Sequence, residues 1–197
     1  MGSILPPARP GLTRDRAEAF LAAIDPLAAK QSVVILGIRG YFSRSFGAPG
    51  NDRAVYDDAC FLWTRALSTE WRSYNFNTDP SAYQAGIATL CTGTWKYQVG
   101  IHGLNKPPSR RYTALVQAGE VTVSRDGEAT KETGWFGINI HRGGLLGTSS
   151  LGCQTIPPEQ WADFISTVQI GLLQARQKII PYVLATAETL SATIGDY

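Results

Sequence analysis

Apolar positions along this chain change period several times, and each change marks an element. Near the start, Phe20, Ala23, Ile24 and Leu27 recur every three or four residues, the period of one helix face. Thr13 can cap such a helix with Asp15 in its first turn, and Pro26 should end it or bend it near its last turn. SVVILGI (32–38) is a β-branched run suited to a buried strand. From Arg39 to Thr94 the glycine, proline and aspartate signals predict long loops around one strand, DACFLWT. TWKYQVGIHG then alternates, with Trp95, Tyr97, Val99 and Ile101 on one face and Lys96, Gln98 and His102 on the other. TALVQ and EVTVS read as strands, RDGE as a turn and GWFGINIH as another strand. After a short extended QTI, Pro157 and Pro158 suit a helix start, and Trp161, Phe164, Ile165, Val168 and Leu172 mark its buried face to about residue 176. KIIPYVLA closes the chain as a strand, expected at a sheet edge because Pro181 lacks a ladder donor.

These elements predict one β-rich α+β domain over 13–197, with its motif-bearing core at 95–185 and a flexible, Pro-rich arm at 1–12. Composition narrows the class. A 44% apolar and 17% charged chain of 197 residues is an ordinary globular composition. Its net charge of +2 implies neither a nucleic-acid nor an anionic-membrane partner. The basic run KPPSRRY (106–112) reads as a solvated loop, with contact to an anionic ligand as the alternative. No stretch approaches eighteen uninterrupted apolar residues, so membrane insertion is not expected, and the first residues do not read as a secretory signal. Three cysteines make no disulfide framework. Cys60 and Cys91 sit in apolar surroundings as core thiols, which leaves Cys153.

Chemistry concentrates in INIHRGGLLGTSSLGCQTI (138–156), which holds one of two histidines and one of three cysteines, twelve residues apart. Strand alternation sends Ile138 and Ile140 to the core and puts Asn139 and His141 on the polar face, where Asn139 could reach the imidazole. The glycine-rich loop can bring the chain back sharply and deliver Cys153 ahead of the second helix. An imidazole within reach of a thiol can take its proton, giving a thiolate–imidazolium pair that alkylates readily below pH 7. Amides near Gly152 and Cys153 could bind an oxyanion. A structural cysteine after glycine is the plain alternative. His102, in GIHG, competes as base or takes a substrate-side role, with a plain surface histidine equally open. Asp57 and Asp58 are turn or cap residues, or contacts for a peptide amine. Trp63, Trp95, Trp135 and Trp161 are expected in the core, while Trp71 and Tyr74 are expected on a loop as a binding platform. No compact His/Cys ligand spacing supports a zinc site, and no cofactor is implied.

The segment IHRGGLLGTSSLGCQTIPPEQW resembles the active-site signature of the L,D-transpeptidase catalytic domain, through Ser150-Leu151-Gly152-Cys153 with His141 upstream. That resemblance implies a β-sandwich or barrel with a helix after the nucleophile, acting on bacterial peptidoglycan stem peptides. It implies Cys153 as nucleophile, His141 as base and the Arg142 backbone carbonyl as the group holding the imidazole. Ser150 would order the loop and contact substrate, with Ser149, Asn139, His102 and Thr155 nearby as substrate-binding positions. Leu151 stands where the family usually has His, and Thr155 where Arg or Asn is common. The expected function is a stem-peptide cysteine hydrolase or transferase, lytic in character, such as a phage endolysin or secreted antibacterial effector. It would be made in the cytoplasm and act on the wall after release. The alternative is a non-catalytic wall-binding, virion or secretion-apparatus protein that keeps the fold.

Overall fold

A computed structural model describes residues 2–68 and 71–197. The centre of the fold is three strands: β1 (Val33–Arg39), β2 (Asp58–Thr64) and β11 (Ile180–Thr186). Period-2 alternation gives each of them two apolar faces. Val33, Ile35, Cys60, Leu62, Tyr182 and Leu184 face one core. Val34, Leu36, Ile38, Phe61, Trp63, Val183 and Ala185 face the other. Helix α2 (Pro158–Ala175) covers the first face with Trp161, Phe164, Val168 and Leu172, as its spacing predicts. Helices α1 (Arg14–Ile24) and α3 (Ala187–Ile194) cover the second through Ala17, Phe20, Leu21 and Leu190. Two covered faces explain why these strands read as continuous apolar runs.

Further strands extend this sheet: β3 (Trp71–Phe76), β5 (Gly93–His102), β6 (Tyr112–Gln117), β9 (Ile140–Arg142) and β10 (Gln154–Ile156). The eight run in the order β10-β9-β6-β5-β11-β1-β2-β3. The two ends of that order meet. Asn77, just past β3, exchanges backbone hydrogen bonds of 2.9 and 2.8 Å with Thr155 of β10, which nearly closes the sheet into a barrel. A small antiparallel sheet of β4 (Ala88–Leu90), β7 (Val121–Arg125) and β8 (Lys131–Gly134) stands beside it. The result is a strand-rich α+β fold with three α-helices among the described residues. None of them is long and apolar enough to cross a membrane.

Several expectations change in the folded chain. β11 lies between β5 and β1, not at an edge. Pro181 is tolerated there because pairing with β1 starts only at Tyr182, so the ladder loses no donor at that point. The 39–94 region holds β3 and β4 besides β2, so Trp71 and Tyr74 are strand residues and Tyr74 is fully buried. Trp135 lies outside the core, 64% exposed. GWFGINIH is not one strand: Gly134 ends β8, and only Ile140 and His141 belong to the short β9. Pro26 does end α1, but the chain turns at Asp25 and leaves Leu27 exposed. The arm is docked rather than loose. The Ile4 carbonyl accepts the Tyr56 N–H, and the Ala8 and Pro10 carbonyls accept from the Asn75 and Ser73 side chains.

Candidate active site

The parallel pairing of β9 with β10 builds the site. Its register sets Gln154 beside Ile140 and Thr155 beside His141, and the Gln154 N–H donates to the Asn139 carbonyl at 2.8 Å. Cys153 therefore enters level with Asn139, two residues before His141 on the neighbouring strand. A two-residue offset between strands about 4.8 Å apart sets such positions roughly 8 Å apart along one face. Cys153, His141, His102 and Asn139 line one cleft of about 780 Å³.

The loop between histidine and cysteine is held at many points. Tyr56 donates its hydroxyl to the Gly144 carbonyl at 2.8 Å. The Ser150 N–H donates to Ser81 Oγ at 2.8 Å, and the Ser81 N–H returns a bond to the Ser150 carbonyl. Ser150 Oγ donates to the Cys153 carbonyl at 2.6 Å while accepting the Gly152 N–H at 3.1 Å. Ser150 thus orders the turn, but it is buried and offers nothing to a substrate. Gly152 has φ +117°, and a Cβ there would strike the Ala88 carbonyl, so only glycine fits. Its amide is committed to Ser150, which removes it as an oxyanion donor and leaves the Cys153 N–H. Thr155 is fully buried in the closing bridge and lines no part of the cleft. Ser149 is exposed on the cleft wall.

His141 is 5% exposed. Its Nδ1 lies 2.8 Å from the Arg142 carbonyl, so Nδ1–H donates there and Nε2 is the basic nitrogen. Tyr112, which the periodicity does not single out, donates its hydroxyl to the same carbonyl at 3.3 Å and lies 3.3 Å from Nδ1. Burial, then the neighbouring His102, lowers the His141 pKa to about 4. The His102 ring stacks on it at 4.0 Å, and Asn139 Nδ2 donates to His102 Nδ1 at 3.1 Å, not to His141 as expected from alternation. Burial and then Lys106 lower the His102 pKa as well.

Cys153 Sγ accepts the Asn139 N–H at 3.4 Å and lies 3.6 Å from the Gly137 carbonyl, to which its S–H donates. No hydrogen bond joins it to His141 among the described residues. Burial raises its pKa, against a lowering by the Asn139 N–H. The resting pair is consequently a neutral thiol and a neutral imidazole, not the ion pair expected from the sequence. Cys60 is sealed in the core and Cys91 is half-buried.

The cleft walls are apolar, with Leu104, Trp135 and Leu151 each more than 60% exposed. Among the described residues no aspartate or glutamate side chain lines it. Asp57 and Asp58 are fully buried elsewhere, closed to any peptide amine. Among the described residues no cluster of His, Cys, Asp and Glu could hold a metal ion. No protein-family model matches this chain, and no curated protein matches it in sequence.

Proposed function

We propose that the protein is a cysteine-dependent, L,D-transpeptidase-like enzyme that acts on peptidoglycan stem peptides through a thioester acyl-enzyme. One observation carries the reading: Cys153 and a carbonyl-anchored His141 share the floor of an open cleft. The signature Ser150-Leu151-Gly152-Cys153 supports the substrate class. His141 Nε2 takes the thiol proton as sulfur bonds the amide carbon, then gives it to the departing amine. Water, activated by the same nitrogen, releases the acyl group. A cleft with Lys106 at its rim and no acidic side chain among the described residues has little to draw in an ammonium acceptor, which favours hydrolysis over exchange. The enzyme would then be lytic, as an endolysin or secreted antibacterial effector acting on the wall.

Purified sacculi test this. Wild-type protein should release muropeptides with new carboxyl termini visible by mass spectrometry. Cys153→Ala and His141→Gln should lose at least ~10³-fold in rate, and chelator should change nothing. A folded Cys153→Ala protein that still digests sacculi removes the reading. The rival is a non-catalytic wall-binding, virion or secretion-apparatus protein. It is favoured by the thiol's contact with the Gly137 carbonyl in place of the imidazole, and sacculi bound but uncut by wild type would decide for it.

A further inference from the structure

We infer that His102 is a second catalytic imidazole, held in the opposite tautomer to His141, whose Nε2–H donates to the carbonyl oxygen that Cys153 attacks. The inference deepens the cysteine-enzyme reading and rests on Cys153 being acylated, though not on peptidoglycan being the acyl donor.

Tautomers follow from the partners. Asn139 Nδ2 is a donor only, so the His102 Nδ1 it contacts at 3.1 Å must accept, and the ring proton sits on Nε2. His141 is the reverse, with its proton on Nδ1 facing the Arg142 carbonyl. Two rings stacked at 4.0 Å therefore offer the cleft one base and one donor. Burial lowers the pKa of both rings, so both stay neutral near pH 7. A neutral imidazole donor can polarise a carbonyl without surrendering a full charge.

Elimination gives the donor its role. Attack by sulfur forms an S–C bond and moves the carbonyl π pair onto oxygen, while the thiol proton passes to His141 Nε2. The oxyanion needs donors. Gly152 N–H is committed to Ser150, and Asn139 N–H to the sulfur itself. Gln117 spends its amide on the Gly119 and Gly134 carbonyls. Of the groups flanking the sulfur, that leaves the Cys153 N–H, and His102 Nε2–H adds an imidazole donor on the same cleft, which Ser149, Asn105 and Trp135 also line. Collapse then reforms the carbonyl and expels the leaving group, which takes the proton from His141 when it is an amine.

The test separates acylation from alkylation. p-Nitrophenyl acetate should acylate Cys153 in a burst of p-nitrophenolate, absent in Cys153→Ala. Iodoacetamide alkylates the same sulfur without forming an oxyanion. His102→Phe, which keeps a stacking ring, should slow the burst ~10²-fold with alkylation within about twofold of wild type. Asn139→Asp should do the same, because a carboxylate accepts from Nδ1–H and reverses the tautomer. His102→Gln, which can place an amide donor near the Nε2 position, should recover part of the rate. ¹⁵N spectra of histidine-labelled wild type should show one Nε2–H and one Nδ1–H tautomer at pH 7. No wild-type burst, equal loss of acylation and alkylation, unchanged bursts, or two rings in one tautomer would each overturn the proposal. Sacculi left intact by a protein that passes these tests would remove peptidoglycan alone.

Discussion

His141 and Cys153 are tuned by burial rather than by each other. Removing an imidazole from water penalises its cation, and removing a thiol from water penalises its anion. The two shifts diverge, leaving a neutral pair across the physiological range. With His141 at about 4, kcat/KM should stay level from neutral pH down to about 5 and fall below 4 as Nε2 is protonated. A limb at 6.5 in the pH–rate profile would contradict this. The Cys153 thiol pKa is raised, so its iodoacetamide rate should climb with pH through and beyond 9 instead of saturating below 7. The sequence pointed to both residues through spacing and strand parity, yet it missed Tyr112 and the Asn139–His102 bond. Those depend on which strand lies beside β9, and β6 pairs there only at Leu115 and Ile140.

Elements show the same division. α2 was legible from its five apolar positions because a helix face must repeat every three or four residues to be buried at all. What the periodicity does not show is how close α2 sits to the sheet. Gly171 lies over β2, where a Cβ would come within 2.7 Å of Thr64 Cγ2 and 3.3 Å of Val33 Cγ2. Gly171→Val should therefore destabilise the protein by about 1–3 kcal/mol, despite removing a helix glycine. A melting temperature lower by several degrees would show it, and an unchanged one would mean that α2 can ride outward without cost. β3 was hidden because WRSYNF alternates weakly and follows a loop-like run. Its partners on β2 and the docked arm make it a strand.

At the scale of the whole molecule, one buried polar cluster sets a pH dependence. Asp58 accepts the Gly40 and Thr78 N–H groups at 2.6 Å each, and Arg39 pairs with Asp79 at 3.3 Å. Asp57 is fully buried beside them, accepting the Asp52 N–H at 2.8 Å with its other oxygen unpartnered among the described residues. Burial first, and then the charges of Asp79 and Asp52, raise the Asp57 pKa to about 7. A carboxyl raised in the folded state holds its proton there and loses it unfolded, so its contribution is full below 3.8 and is lost as pH rises through 7. Asp57→Asn removes that loss. Its melting temperature relative to wild type should be higher at pH 8 than at pH 4.5 by about 4 °C or more, whatever its fixed offset. A difference independent of pH would mean that Asp57 ionises normally. By itself the sequence determined the covered strands, the α2 face, the capped α1 and the histidine–cysteine segment, because period, caps and turn chemistry are local properties of the chain. Only the tertiary structure decided that the sheet nearly closes through Asn77 and Thr155, that β11 is central, and that the two imidazoles stack. Those outcomes turn on pairings between segments far apart in the chain, such as Ile35 with Tyr182, and no local pattern encodes which distant partner a strand or a ring nitrogen will meet.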